Sequence, residues 1–287
     1  MRSMMKKSLA VFMIAIFAFM MVACGGGTAV PNPPGGAVNT PGATQTPDQP
    51  KTSEPAKDPV DLTISAAASL TDVLLELEKV YKEQQPHVTL TFNMGPSGQL
   101  QQQIEQGAPA DVFLSAAQKQ MNTLEEKDLI VKDTRVDILR NELVLVVNKD
   151  FTGVDSFEDL QKAEVKHIGI GSPESVPAGQ YAKEVLENLK MWDALSSKFV
   201  EGQNVRAVLS FVETGNAEAG FVYGSDTVVS DKVKIVAPAP EGSNEPILYP
   251  AAVVKATKEL EAASDFVKFL LTEEAQQILE DFGFSRL

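Results

Sequence analysis

From Asp61 onward the chain keeps exchanging two patterns: short runs of alternating or continuous apolar residues, and longer stretches in which apolar residues recur at three-and-four spacing. This exchange constrains the fold more than any other feature. Strands that follow one another through helices are parallel strands joined by crossovers, so the pattern calls for an α/β fold with mostly parallel sheets. DLTISAAA (61–68) is the first predicted strand, followed by a helix with Leu70, Val73, Leu74, Leu77, Val80 and Tyr81 on one face. HVTLTFNMG (87–95) is a second strand. A helix from about Gly98 to Gln106, closed by Gly107, leads to a third, DVFLSA (111–116).

The long β-branched strand ELVLVVNK (142–149) comes next, then HIGIGS (167–172), helices near 178–190 and 204–213, and the strand GFVYGS (220–225). Val205, Val208, Leu209 and Val212 form the buried stripe of the 204–213 helix, and Gly215 is placed to stop it. YPAAVVK (249–255) is another strand. Two C-terminal helices follow, with Phe266, Phe269, Leu270 and Leu271 assigned to the last. The two long strands bracket a middle block with its own strands and helices, which suggests two lobes and a chain that crosses between them more than once. The predicted division is 60–142 with 238–287 for one lobe and 143–237 for the other, with a ligand cleft between them where strands end and helices begin.

What precedes this part is of a different kind. Arg2, Lys6 and Lys7 lead into an unbroken apolar run from Leu9 to Ala23, which meets Cys24. A basic start and a short apolar core read as a secretory signal peptide over residues 1–23, since fifteen apolar residues fall short of the ~20 of a spanning helix. Cys24 is the single cysteine, which excludes an intrachain disulfide and a cysteine-built metal site. The segment MVAC (21–24) resembles a bacterial lipobox, with Met21 where leucine is usual, and so implies lipid on Cys24 and anchoring at the outer face of a membrane. Residues 25–59 hold six glycines and eight prolines and no leucine, isoleucine or aromatic residue. With 24–59 unable to bury apolar surface, the segment reads as a disordered tether whose ends lie roughly 30–35 Å apart.

Charge narrows the partners. Removing residues 1–23 takes three positive charges and no negative ones from a net −14, leaving −17. Nucleic acid and anionic membrane surfaces both call for a basic face, so neither is an expected partner.

Four strand-to-helix junctions share small residues or polar caps at the start of a helix: SAAASLTD, where Ser69 can cap a helix beginning at Leu70; GPSGQL, with Ser97; GSPESVPAGQYAKEVL, with Pro177 in a first turn and Ala178 after it; and GQNVRAVL, starting a helix near Val205. Each on its own is ordinary capping. Together they describe a donor-rich, low-bulk site of the kind that holds anions.

QIEQGAPADVFLSA, then GSPESVPAGQYAKEVL, then VYGSD, in this order, resemble the bacterial molybdate-binding proteins of ABC uptake systems. The resemblance runs from about Asp61 to Leu287 and takes in AASLTD and the C-terminal FGF. It implies a two-lobed periplasmic-binding-protein fold of type II, closing on one tetrahedral oxyanion, molybdate or tungstate, with delivery to a membrane permease. It also implies the ligand contacts: Ser69, Ser97, Ala178, Val205 and Tyr223, supplying hydroxyl and backbone N–H donors. Molybdenum would be held as its oxyanion, with no protein ligand on the metal itself and no cofactor. Pro96 stands where many relatives carry a first of two serines.

The chemistry of the donors agrees with the resemblance. An unprotonated dianion has acceptor oxygens only, so a fitting site offers donors and no carboxylate. Sulfate satisfies the same donor set, and phosphate differs in carrying a proton, so a binding protein for either is the alternative reading. A surface serine hydrolase using Ser69 or Ser97 is a further one, weakened because neither His87 nor His167 lies in the serine motifs. Arg206 is expected to be solvated or paired with a carboxylate, Asp111 and Asp226 to be structural, and both histidines to lie at surface or edge positions. Trp192 is expected in the core of the second lobe. A monomer is expected.

Overall fold

A computed structural model describes residues 58–287. The signal peptide, Cys24 and nearly all of the tether lie outside the described residues. The chain first lays down β1 (Val60–Ala67), α1 (Thr71–Gln84), β2 (Val88–Gly95), α2 (Ser97–Glu105), β3 (Val112–Leu114), α3 (Gln118–Glu126) and β4 (Val136–Asn141). It crosses directly into β5 (Leu143–Asn148), then β6 (Ile168–Gly171), α4 (Pro177–Asn188), α5 (Trp192–Leu195), β7 (Phe199–Gly202), α6 (Val205–Glu213), β8 (Ala219–Tyr223), α7 (Gly224–Val228) and β9 (Val233–Pro238). It returns as β10 (Ile247–Val253), α8 (Leu260–Phe269) and α9 (Glu273–Asp281).

These strands make two five-stranded sheets, ordered β2-β1-β3-β10-β4 and β7-β6-β8-β5-β9. In the first, β1 runs parallel to β2 and β3, and β10 is antiparallel to both its neighbours. In the second, β6 runs parallel to β7 and β8, and β5 is antiparallel to both of its neighbours. The two long strands noted in the sequence are therefore the reversed strands of the two sheets, each second from an edge. Both are reached by a change of sheet rather than a helical crossover, which is why they can reverse direction.

Period-two alternation distributes the first sheet's residues between two cores. Val112 and Leu114 of β3, with Ala251 and Val253 of β10, face the large core shared with α1 and α8. Phe113 and Ala252 face the opposite way, onto Leu100 and Ile104 of α2 and Met121 and Leu124 of α3. Tyr81 of α1 meets Phe266 of α8 edge-on, with ring centroids 5.2 Å apart and planes at 79°. In the second sheet, α6 sits on β6 and β8 so closely that a Cβ at Gly220 would lie 2.8 Å from Val212 Cγ2. Glycine is needed there to admit the helix.

Two readings from the sequence are corrected. A 3₁₀ turn, Ala68–Leu70, precedes α1, so the α-helix begins at Thr71 and Ser69 caps nothing. The aromatic pair Phe266 and Phe269 belongs to α8, the first of the two C-terminal helices. The last, α9, is capped by the Thr272 hydroxyl, which accepts from the Ala275 N–H at 3.3 Å. The sequence predicts two helices with their boundary before Phe266, whereas the Thr272 cap places it after Leu271.

Candidate functional site

Parallel strands aim the helices that follow them toward one end of a sheet, so the turns after β1, β2, β6, β7 and β8 converge between the two sheets. The structure brings all five predicted residues, Ser69, Ser97, Ala178, Val205 and Tyr223, to the wall of a single small cavity. Ser69 and Ser97 come from the first sheet's connections and the other three from the second's. Pro96, Ala116 and Asn204 complete the polar and backbone lining used below, and no Lys, Arg, Asp or Glu lines the cavity. Across it the Gly98 N–H donates to the Ser175 carbonyl at 3.0 Å, joining the two halves directly.

Each donor is held by its local surroundings. Ser97, fully buried at the first position of α2, accepts a hydrogen bond from the Ala116 N–H at 3.1 Å. That occupies one lone pair and leaves its own hydroxyl hydrogen available to a ligand in the cavity. Ser69 Oγ lies 2.9 Å from the Tyr249 phenol oxygen. The N–H groups of Ala178 and Val205, in the first turns of α4 and α6, have no acceptor within their own helices. Asn204 fixes the start of α6 by accepting from the Ala207 N–H at 2.9 Å, and Pro177 sets the first turn of α4. The Tyr223 phenol oxygen is buried with no hydrogen-bond partner among the described residues. Burial pushes its pKa far above the usual phenol range, so it keeps its proton and remains a donor. The arrangement is a nest of hydroxyls, free N–H groups and positive helix ends.

The neighbouring charges are turned away from this nest and consumed in pairing. Arg206 reaches Asp226 at 2.9 Å and Asp72 at 2.7 Å, the carboxylate pairing foreseen as one of its two ordinary fates. Asp226, fully buried, accepts from the Tyr223 backbone N–H at 3.1 Å and so fixes the turn that presents Tyr223. Asp111 is likewise structural, accepting from the Thr63 N–H at 2.7 Å and the Thr257 hydroxyl at 2.5 Å. His87 is half-buried and His167 exposed, and neither lines the cavity. Trp192 is only partly buried, stacked at 4.7 Å on Phe199 with the Lys183 ammonium 5.4 Å above its ring. It sits at the margin of the core rather than inside it. Among the described residues no group of His, Cys, Asp and Glu side chains is placed to hold a metal ion. Two larger grooves, lined around Tyr81 and Lys258 and around Gln118 and Glu184, mix charges of both signs and lack convergent donors. Chemistry, not volume, singles out the smaller cavity.

Burial raises the Asp226 carboxyl to about 6, against the lowering effect of Arg206 and of the Tyr223 N–H. The native state therefore keeps this proton up to about pH 6, while the unfolded chain releases it near the ordinary value of 3.8. Between those values the native state binds more protons, so the stability this group contributes is full below 3.8 and is lost as pH rises through about 6. The difference amounts to about 3 kcal/mol. Asp226→Asn should remove that slope from urea-unfolding free energies measured between pH 4 and 7. An unchanged slope would mean that Asp226 titrates as an ordinary carboxylate.

Two sequence features of the site were missed. Tyr249 stands within the predicted strand YPAAVVK and gives no local hint that it meets Ser69. Asn141, at the end of β4, gives none either. The cap at Asn204 was signalled by its place one residue before an apolar stripe.

Comparison with known proteins bears on this geometry. Residues 62–285 match the family model described as bacterial extracellular solute-binding protein. The "Putative ABC transporter substrate-binding lipoprotein YvgL" of Bacillus subtilis is 47% identical over 227 residues, covering 79% of this chain and 86% of that one. The molybdate-binding protein ModA of Haemophilus influenzae is 40% identical over 230 residues, covering 78% of this chain and 89% of that one. Among solved structures, the periplasmic molybdate-binding protein of Azotobacter vinelandii superposes with a TM-score of 0.72 at 26% identity, covering 79% of this chain and 99% of that one.

Proposed function

Because the chain belongs to the bacterial extracellular solute-binding protein family, we propose that it captures molybdate or tungstate outside the cytoplasm and delivers it to the permease of an ABC transporter. The two-sheet architecture is the type II periplasmic-binding-protein fold expected from the sequence. The protein is a carrier and not an enzyme, as its family membership implies. The ligand is the solute itself, not a cofactor.

The observation that carries this reading is the Tyr223 phenol, buried and without a hydrogen-bond partner among the described residues, on the wall of a cavity that no charged side chain lines. A buried hydroxyl without a partner is costly unless a ligand supplies an acceptor. In our assignment the Ser69, Ser97 and Tyr223 hydroxyls and the Ala178 and Val205 N–H groups surround the oxyanion. Partial charges suffice for a dianion, and the absence of a full cation at the wall eases release to the permease. The donor set alone suits sulfate equally; the 40% identity to a molybdate-binding protein favours molybdate.

The lobes in this reading are 60–142 with 238–287 and 143–237, closing on the ligand in the manner of a hinge. Strand β9 runs through Pro238, so the return crossing occupies 239–246. Cys24 carries lipid, residues 25–59 form the tether, and the protein works as a monomer on the outer face of the cytoplasmic membrane or in the periplasm. The similarity to a relative named as a lipoprotein supports the anchor.

Thermal unfolding of the full chain in detergent, with molybdate, tungstate, sulfate and phosphate at equal concentration, tests the reading. At ~100 times its dissociation constant a ligand adds about 2.7 kcal/mol, or roughly 5–10 °C in Tm. Molybdate and tungstate should produce that shift and the others should not. Ser97→Ala and Tyr223→Phe should each weaken molybdate about 10- to 150-fold, the range for losing one bond to a charged acceptor. A shift with sulfate alone would transfer the function to sulfate, and no shift with any anion would remove it.

A further inference from the structure

One chain of hydrogen bonds approaches the cavity from behind, starting where the chain passes from one sheet to the other. The Glu142 backbone N–H donates to Asn141 Oδ1 at 2.9 Å, which sets the orientation of the Asn141 amide and turns its Nδ2 the other way. That nitrogen donates to Ser225 Oγ at 2.8 Å and to the Tyr249 phenol oxygen at 3.3 Å. Tyr249 is fully buried, and its phenol oxygen lies 2.9 Å from Ser69 Oγ, a contact in which either oxygen can donate, with the Tyr223 phenol as a further neighbour. With Asn141 donating to the phenol oxygen, the phenol hydrogen is free to go to Ser69. Ser69 Oγ then acts as acceptor toward Tyr249, and its own hydrogen is left for the cavity it lines. Tyr249 does not line the cavity, and its ring is held edge-on against Tyr223 and Phe284, with centroids 5.8 and 5.7 Å away.

We infer that Tyr249 and Asn141 are positioning residues that hold the Ser69 hydroxyl as a hydrogen-bond donor toward the bound oxyanion. The inference rests on the oxyanion reading above. A free serine hydroxyl can turn either a hydrogen or a lone pair toward a ligand. The chain from Asn141 removes that choice before the ligand arrives, and so removes the ordering that binding would otherwise require. It parallels Ser97, whose lone pair is taken by the Ala116 N–H. Both serines thus reach the cavity as preset donors, one fixed by a local backbone group and the other by side chains 180 and 72 residues away. Because Asn141 and Glu142 belong to the crossing between β4 and β5, the donor state of Ser69 is tied to the segment on which the lobes would hinge.

A double-mutant cycle tests this with the full chain, using calorimetric titration of molybdate into wild type, Tyr249→Phe, Ser69→Ala and the pair. Tyr249→Phe keeps the ring and should weaken binding about 3- to 10-fold. In the Ser69→Ala background the same change should alter affinity by less than about 2-fold, because the group it acts through is gone. Asn141→Ala, measured in both backgrounds, should behave in the same way with a smaller effect. It supplies the cycle if Tyr249→Phe unfolds. Equal fold-losses from Tyr249→Phe in both backgrounds would show that Tyr249 serves packing alone and would overturn the inference while leaving the oxyanion reading intact. Failure of the wild type to bind molybdate would overturn both.

Discussion

Gly179→Ala is expected to lower the unfolding free energy by about 3 kcal/mol and to weaken oxyanion binding in the same variant. A Cβ at position 179 would lie 1.9 Å from the Gly171 carbonyl oxygen and 2.5 Å from its carbon, both backbone atoms with no rotamer to yield. Gly171 is at the end of β6, where it pairs with Gly202 of β7, so the strand cannot retreat without breaking the sheet. The helix must move instead. Gly179 is the third residue of α4, and Ala178 directly before it carries one of the N–H groups assigned to the ligand. Relief of the clash therefore displaces a donor. Urea unfolding with a constant m-value, together with molybdate titration, reads both effects. A wild-type midpoint would mean that α4 slides on β6 without penalty. A lowered midpoint with unchanged affinity would detach Ala178 from the ligand.

Arg206→Ala should be as destructive for a different reason. It removes the guanidinium that lies 2.9 Å from Asp226, a carboxylate with no exposed surface. An isolated buried charge of this kind is destabilising by about 3–5 kcal/mol. The loss should be largest above pH 7, where the carboxylate is ionised, and smaller near pH 5, where Asp226 takes up a proton and needs no counter-charge. Adding Asp226→Asn should restore most of the loss, since the amide oxygen can still accept from the Tyr223 N–H while carrying no charge. If the double variant is no more stable than Arg206→Ala alone, the arginine acts through packing or through Asp72, 2.7 Å away, and not by neutralising Asp226.

Elements built from neighbouring residues were legible in advance. The stripe Val205, Val208, Leu209 and Val212 was read as the buried face of a helix near 204–213, and α6 spans Val205–Glu213 with those four residues buried. Gly107 and Gly215 were placed as helix stops, and both adopt positive φ, at 83° and 72°. Such features depend on residues within a turn or two of one another, so periodicity and capping reveal them. The five residues taken from the resemblance also meet at one cavity. Their convergence follows from motif order within a family, and neither composition nor spacing alone could have brought Ser69 beside Tyr223.

Where the reading erred, a distant partner was responsible. Ser69 looks like a helix cap because serine before an apolar stripe usually is one, but its oxygen is engaged by Tyr249, 180 residues further along. Arg206 was expected to be solvated or to pair with a carboxylate, but nothing in the sequence named Asp226, twenty residues on and fully buried, as that partner. The reversal of β5 and β10 could not be inferred either, since a strand's apolar pattern is the same in both directions. The sequence by itself determined the alternation of strands and helices, the stripes that bury them, their caps and stops, and through motif order the family. The tertiary structure alone decided the strand order, which distant groups each hydroxyl meets, and which carboxylate Arg206 pairs with. Local patterns report energies between residues a few positions apart, whereas these last features depend on contacts that exist only once two sheets have closed the chain on itself.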